Sequence, residues 1–137
     1  MSERTDLVAL ALTARQAAYC PYSGYAVGSA LQTESGSVFT GCNVENISFG
    51  ATICAERSAV AKMVSAGERR VRRIAVATRD GGPPCGICLQ VLAEFIADPS
   101  GTTVLLVRES GEVQEMAFSE LAPHAFATEA VKRTDRL

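Results

Sequence analysis

The fold is decided by the stretch RIAVATRDGGPPCGICLQVLAEFIADPSGTTVLLV, residues 73–107. Two short apolar runs, 73–78 and 102–107, are typical of buried strands. Between them, the Gly-Gly-Pro-Pro sequence at 81–84 forces a turn, and the longer apolar run 85–96 indicates a helix. A strand, a helix and a second buried strand in succession favour the α/β class, in which helices cover a sheet.

The flanking sequence extends this alternation in both directions. The further predicted elements are a helix over 5–18, two hairpin strands over 27–33 and 37–43, a helix over 54–67 and a weaker strand over 112–117. A glycine in the short turn at 34–36 supports the hairpin. The sequence therefore predicts a three-layer α/β/α fold with a mixed sheet of roughly five strands.

Length and composition limit the class of protein. The chain has 137 residues, of which 47% are hydrophobic and 20% charged, so residues 1–137 are predicted to form one domain around a single core. A formal net charge of −2 provides no broad positive field. We therefore expect a small-molecule partner and no nucleic acid.

Two further features bear on the cellular compartment. The longest uncharged stretch, 16–33, contains Pro21 and two glycines, so it does not predict a membrane-spanning helix, and the first residues lack the pattern of a secretion signal. We therefore expect a cytoplasmic protein without membrane contact. The five cysteines are an odd number, and in a reducing compartment they favour metal binding or buried thiols over disulfides.

Three of these cysteines suggest a metal centre. Cys85 and Cys88 form a two-cysteine chelate, and Cys54 supplies a third sulfur with the carboxylate of Glu56 two residues further on. Zinc favours thiolates in tetrahedral geometry, and three protein ligands leave a fourth position for water, as in catalytic sites. Zinc deaminases that act on nucleobases show this pattern, with a glutamate that is not a ligand.

The spacing makes a geometric condition. Residues two apart on a helix do not face each other, so Cys54 and Glu56 converge on one ion only if it lies beyond the helix N-terminus, and Cys85 should act in the same way. The positive ends of two helix dipoles would then point at the sulfurs. They would stabilise the site, because zinc with three thiolates carries a formal charge of −1. Arg57 is the candidate to hydrogen-bond a thiolate and withdraw charge. A structural zinc, unligated core thiols or a redox pair remain the alternatives.

Four sequence motifs together resemble those of one known family. They are PYSGYAVG at 21–28, GCNVEN at 41–46, TICAER at 52–57 and PCGICLQ at 84–90. In this order they resemble those of the small cytidine deaminases of nucleoside salvage, and the likeness extends over about residues 5–126. The resemblance implies a hydrolase that converts cytidine, and 2′-deoxycytidine, to the uridine nucleoside and ammonia by a zinc-activated water.

The same resemblance implies roles for individual residues. One Zn²⁺ per subunit would be held by Cys54, Cys85 and Cys88, with Glu56 as the catalytic proton shuttle. Substrate contacts are implied for Asn43 and Glu45, which would bind the ribose hydroxyls, and for Val44, Ala55 and Tyr25, the last two against the base.

The resemblance also implies an assembly. Related proteins are commonly homotetramers in which a neighbouring subunit completes each pocket, and Phe49 and Phe126 fall where such contributions are expected. From the residues alone, Asn43 and Glu45 should point the same way on an extended segment, although a turn that caps the next helix is the alternative.

Five positions depart from the usual family pattern, including Ile47 and Ala122. Tyr25 stands where Phe is common, Phe49 where Tyr is common, and Leu89 where Arg is common. The hydroxyl of Tyr25 needs a hydrogen-bond partner if it is buried. The alternatives for function are a deaminase of another amino-heterocycle nucleoside, such as blasticidin S, and a zinc-stabilised binding module without turnover.

Overall fold

The computed structural model describes residues 3–126, which form one five-stranded sheet with helices on both faces. In chain order the elements are α1 (Glu3–Arg15), β1 (Gly28–Thr33), β2 (Val38–Cys42), α2 (Ala55–Ser65), β3 (Val71–Thr78), α3 (Gly86–Glu94), β4 (Thr103–Arg108), β5 (Val113–Ala117) and the short α4 (Phe118–Leu121). A 3₁₀ turn over Phe49–Ala51 lies between β2 and α2. The predicted α/β class and the number of strands are confirmed.

The strand order is β2-β1-β3-β4-β5, and the sheet is mixed. Only the pair β3 and β4 is parallel, with Ile74 opposite Val104, while the other three pairs are antiparallel. A parallel pair needs a crossover connection, which α3 supplies. The stretch 73–107 therefore forms the strand, helix and strand that its sequence predicts.

Alternate residues of the central strands are buried in two different cores. Val76 and Leu106 pack under α2 and α3, whereas Ala75 and Leu105 pack under α1 on the opposite face. Successive side chains of a strand point to opposite faces, so a strand covered on both sides has a continuous apolar sequence. The two cores confirm the three layers.

Two glycines allow helices to approach the hairpin closely. A Cβ on Gly28 would clash with the backbone of α1, and one on Gly41 would lie 2.5 Å from the carbonyl oxygen of Ala55 in α2. The hydroxyl of Ser29 also donates a hydrogen bond of 2.7 Å to that carbonyl oxygen. These contacts fix the first turn of α2 against β1 and β2.

Several predicted boundaries are wrong by a few residues. α1 ends at Arg15, three residues earlier than predicted, because residues 16–18 continue as tighter turns with bonds to the carbonyl groups three residues back. α3 ends at Glu94, since the carbonyl group of the following Phe95 accepts a bond from Val71 at the start of β3. β3 accordingly begins at Val71, two residues earlier than predicted.

Within residues 3–126, every helix is too short or too polar to cross a lipid bilayer.

Candidate active site

Two helix N-termini bring three cysteines together. Cys54 is the residue immediately before α2, Cys85 is the residue immediately before α3, and Cys88 lies in the first turn of α3. Their Sγ atoms all lie within 4.8 Å of one another, and those of Cys54 and Cys85 are 4.0 Å apart. This is the arrangement beyond the helix ends that the spacing predicts.

The three thiols fit a zinc ion. A tetrahedral site with Zn–S bonds of about 2.3 Å places its sulfurs about 3.8 Å apart, close to the separation of Cys54 and Cys85. Among residues 3–126 these cysteines are the one group of three His, Cys, Asp or Glu side chains close enough to share an ion. Three ligands leave a fourth position for a small molecule.

The charges of the cluster also favour a cation. The pKa of Cys54 is lowered to about 5, first by the hydrogen bond from Cys88 and then by the guanidinium of Arg57. The same hydrogen bond, together with burial, raises the pKa of Cys88. Ionisation of one thiol therefore opposes ionisation of the other, because adjacent thiolates repel each other, and a divalent ion would relieve that repulsion.

Arg57 lies where the sequence predicts a group that supports a thiolate. Its Nη2 atom donates to Sγ of Cys54 at 3.5 Å and to the carbonyl oxygen of Thr52 at 3.1 Å. The guanidinium is thereby held beside the sulfur by the segment that leads into α2. Its positive charge offsets part of the negative charge that three thiolates bring to one ion.

Glu56 lies next to the sulfurs in the first turn of α2. It is only 4% exposed and lines the same cavity as Cys54 and Cys85. Burial raises the pKa of Glu56 to about 7, and the negative charge of Cys54 contributes to the rise. A carboxyl group with such a pKa can both accept and release a proton at neutral pH.

The cavity has a volume of about 310 Å³, which suits a small organic molecule. We define two groups of residues around the cavity. The helix side comprises Cys54, Ala55, Glu56 and Cys85, which line the cavity at the N-termini of α2 and α3, together with Arg57 and Cys88, which lie next to Cys54. The loop side lies outside the helices and strands; it comprises Ser23, Tyr25, Asn43 and Glu45, which line the cavity, together with Asp80, which bonds to Tyr25.

Glu45 is held on the loop side by three hydrogen bonds. Its carboxylate accepts from the backbone N–H groups of Tyr22 and Ser23, at 3.0 and 3.1 Å, and from the Ser23 hydroxyl at 2.5 Å. The Ser23 hydroxyl lowers the pKa of Glu45, as do the two backbone bonds. The side chain lines the cavity together with Asn43, whereas the intervening Val44 pairs with the backbone of Ile53.

Asn43 is buried and uses its amide to shape the loop side. Its Nδ2 atom donates to the carbonyl oxygen of Tyr25 at 2.8 Å, and its Oδ1 atom accepts from the backbone N–H of Val27 at 3.0 Å. The segment is extended at this point, and neither Ser48 nor Cys54, which precede the next two helical elements, caps a helix with its side chain. The backbone is therefore extended at Val44, and the turn comes further on, where Oδ1 of Asn46 accepts from the backbone N–H of Ser48 at 2.9 Å.

Tyr25 lines the cavity, and its hydroxyl donates to Oδ1 of Asp80 at 2.6 Å. The sequence shows that this hydroxyl needs a partner but gives no signal for Asp80, which is 55 residues away. The role of Ser23 is likewise not predictable from the sequence, since its contact with Glu45 joins two separate loops.

The two phenylalanines predicted to serve a neighbouring subunit are exposed. Phe49 is 72% exposed and contacts the ring of Tyr22 edge to face, with centroids 5.6 Å apart. Both rings line a second hollow of the surface, to which Glu45 also contributes. Phe126 is 64% exposed and lies away from the cavity, near Gln90 of α3. Leu89 packs against the core under α2 and α3.

Comparison with known proteins gives consistent matches. The pattern of the cytidine and deoxycytidylate deaminase zinc-binding region matches residues 1–99. A cytidine deaminase of Halalkalibacterium halodurans is 47% identical over 129 residues, 93% of this chain and 96% of that protein. One from Sporosarcina psychrophila is 42% identical over 125 residues, 90% of each chain.

A crystal structure of cytidine deaminase from Burkholderia pseudomallei superposes with a TM-score of 0.82 at 42% sequence identity. The match covers 92% of this chain and the whole of that one. The similarity therefore includes the fold as well as the sequence.

Proposed function

Because this chain belongs to the cytidine and deoxycytidylate deaminase family, we propose that it hydrolyses cytidine, and 2′-deoxycytidine, to the uridine nucleoside and ammonia in nucleoside salvage. Water adds to C4 of the base, the bond from C4 to the amino nitrogen breaks, and ammonia leaves. The observation that carries the proposal is the convergence of three cysteine sulfurs and the buried carboxyl group of Glu56 on one cavity.

Cys54, Cys85 and Cys88 would hold the zinc ion. A zinc ion bound there supplies a Lewis acid that makes a water molecule acidic enough to react at neutral pH. Glu56 accepts a proton from the attacking water through its carboxylate and delivers it to N3 of the base. It then takes the remaining proton of the added hydroxyl group and passes it to the leaving amino group, as the C4 carbonyl group forms. One carboxyl group serves these steps because its pKa of about 7 permits both protonation states.

The rest of the helix side binds the base. Ala55 lines the cavity, and its carbonyl group is already engaged by Ser29. The first N–H groups of a helix have no partner within the helix, so those of α2 are available to the polar edge of a base. Tyr25 on the loop side offers an aromatic surface to the same base.

Two residues of the loop side, Asn43 and Glu45, bind the sugar. The pKa of Glu45 is lowered by the Ser23 hydroxyl, so its carboxylate remains ionised and accepts hydrogen bonds from the ribose hydroxyl groups. Asn43 lies beside it in the cavity wall. The formal net charge of −2 fits a nucleoside better than a polynucleotide.

We assign the active form to a homotetramer in the cytoplasm. The exposed rings of Tyr22 and Phe49 line the second hollow, and Ile47 and Ile53 on the same segment of the chain as Phe49 are exposed as well. Exposed apolar patches mark interfaces between subunits. The cytoplasm keeps cysteines reduced, as three ligand thiols require. Light scattering after size-exclusion chromatography should give the mass of four chains, and a monomer would contradict the assembly.

The function is tested by following the ultraviolet absorbance of cytidine while the zinc content is varied. Purified protein should contain one zinc per chain and release ammonia; removal of zinc by a chelator should stop the reaction, and return of zinc should restore it. Zinc at one per chain without ammonia release from either nucleoside would instead indicate a binding module. Turnover that persists in the zinc-free protein would contradict the mechanism.

A further inference from the structure

Every polar group of Tyr25 forms a hydrogen bond on the loop side. Its backbone N–H donates to the Ser23 hydroxyl at 3.0 Å, and its carbonyl oxygen accepts from Asn43 at 2.8 Å. Its hydroxyl donates to Asp80 at 2.6 Å. The first two bonds fix the backbone, and the bond to Asp80 anchors the far end of the ring.

Asp80 is itself held at the start of the loop that leads from β3 to Cys85. Its Oδ1 atom accepts from the hydroxyl of Thr78 and from the backbone N–H of Gly82, both at 3.3 Å, in addition to the Tyr25 hydroxyl. The hydroxyl of Thr78 accepts from the N–H groups of Gly81 and Gly82, at 2.7 and 3.0 Å. The acceptor for Tyr25 is therefore part of a closed turn and not a freely moving side chain.

The neighbouring residues fit a tyrosine in particular. A Cβ on Gly82 would lie 3.2 Å from the Tyr25 hydroxyl oxygen, so the absence of a side chain there leaves room for the hydroxyl. The guanidinium of Arg79 lies 5.5 Å from the centre of the Tyr25 ring and covers one face. Tyr25 lines the cavity, whereas Arg79 is not among the residues that line it.

We propose that Asp80 is a positioning residue for substrate binding, which acts by holding the ring of Tyr25 against the base of the nucleoside. The inference rests on the proposed function, and it concerns the binding of the substrate and not the proton transfers of Glu56. The hydrogen bond lowers the pKa of Asp80, so the carboxylate acceptor is present throughout the neutral range. A ring that is oriented before binding loses less freedom when the base arrives.

The test uses four variants of the zinc-loaded protein: Asp80→Ala, Asp80→Asn, Tyr25→Phe and the double variant Tyr25→Phe with Asp80→Ala. Asp80→Ala removes the acceptor, and we expect the KM for cytidine to rise about three- to tenfold, the range for one net hydrogen bond, with kcat within about twofold of the wild type. Asp80→Asn retains an acceptor oxygen and should restore the KM. Tyr25→Phe should raise KM to a similar extent.

The double variant decides whether Asp80 acts through Tyr25. If it does, Asp80→Ala has no further effect once the hydroxyl is absent, so the double variant should match Tyr25→Phe. Independent, multiplying effects on KM would overturn the proposal. So would an unchanged KM in Asp80→Ala, or a fall in kcat accompanied by loss of zinc, which would assign Asp80 to the support of Cys85 instead.

Asp98→Ala is the matched control, because Asp98 also accepts a loop hydrogen bond, from Ser100 at 2.9 Å, but lies outside the cavity. It should leave both KM and kcat unchanged. A wild type that does not deaminate cytidine would overturn the proposed function and the inference with it. An active wild type with no coupling between Tyr25 and Asp80 would overturn the inference alone.

Discussion

The two sides of the cavity are built in different ways. On the helix side, Cys54 and Cys85 each occupy the position before a helix, and Cys88 and Glu56 follow within the first turn. On the loop side, Glu45 and Tyr25 are positioned by Ser23 and Asp80, which come from separate segments of the chain. Regular structure therefore positions the groups proposed for the chemistry, and hydrogen bonds between loops position those proposed for binding.

This difference has a consequence for substitution. The geometry of a helix start follows from the local sequence, so a change on the helix side should remove a chemical group and leave its neighbours in place. The loop side depends on mutual contacts, so a change there should alter the binding of the substrate more than the rate of the chemical step. The following substitutions test this division, from the largest expected effect to the smallest.

Glu56→Ala should have the largest effect. Removal of a general acid and base lowers kcat by about 10²- to 10⁴-fold, and the three sulfurs should still hold zinc. Steady-state kinetics and metal analysis on the same preparation measure both quantities, with Glu56→Gln as the variant that preserves the shape of the side chain. A near-normal kcat in zinc-loaded Glu56→Ala would contradict the role of Glu56 as the general acid and base.

Glu45→Gln should affect binding instead. Loss of a hydrogen-bonding charge typically costs about 1.5–3 kcal/mol, so we expect KM for cytidine to rise about 10- to 100-fold with a much smaller change in kcat. Glu115→Gln is the control, because that carboxylate is exposed and forms an ion pair with Arg4, at 3.6 Å. A fall in kcat at unchanged KM would contradict the division between the two sides.

The pH dependence of KM tests the same carboxylate. The Ser23 hydroxyl and two backbone N–H groups lower the pKa of Glu45, so its ionised form is lost only when the pH falls below the usual range for glutamate. The contribution of Glu45 to KM should therefore stay constant from about pH 7.5 to about pH 5. The difference in KM between the wild type and Glu45→Gln across this range measures it, and a difference that shrinks toward pH 5 would argue against an ionised contact.

Gly41→Ala tests the support of the helix side and should have the smallest effect on activity. A Cβ at this position would lie 2.5 Å from the carbonyl oxygen of Ala55 and 2.7 Å from the backbone nitrogen of Ala59, so α2 must shift. We expect the free energy of unfolding to fall by about 1–3 kcal/mol, as for other overpacked sites. Denaturant unfolding measures it, with Gly50→Ala as the control, since a Cβ there meets nothing within 4 Å.

An unchanged stability in Gly41→Ala would show that the start of α2 is not fixed by its contact with β2. A loss of zinc affinity at normal stability would show that the sulfurs tolerate less movement of the helix than the packing does.

The division between the two sides also explains what the sequence could predict. The buried strands around 73–78 and 102–107, the helix between them and the cysteine spacing are local patterns, and the fold they predict is confirmed. The predicted ends of the elements were wrong where tertiary contacts determine them. One example is Val71 at the start of β3, whose N–H donates to the carbonyl oxygen of Phe95. The pairs Ser23 with Glu45 and Tyr25 with Asp80 depend on how distant loops meet, for which the sequence carries no periodic signal.

X-ray absorption at the zinc edge tests the central claim most directly, because it reports the number and kind of atoms bound to the metal. We expect three sulfur atoms at about 2.3 Å and one oxygen or nitrogen atom at about 2.0 Å, with one zinc per chain. Cys88→Ser should lower the number of sulfur atoms or abolish zinc binding. Four sulfur atoms around the zinc, or none, would contradict an open metal site formed by Cys54, Cys85 and Cys88.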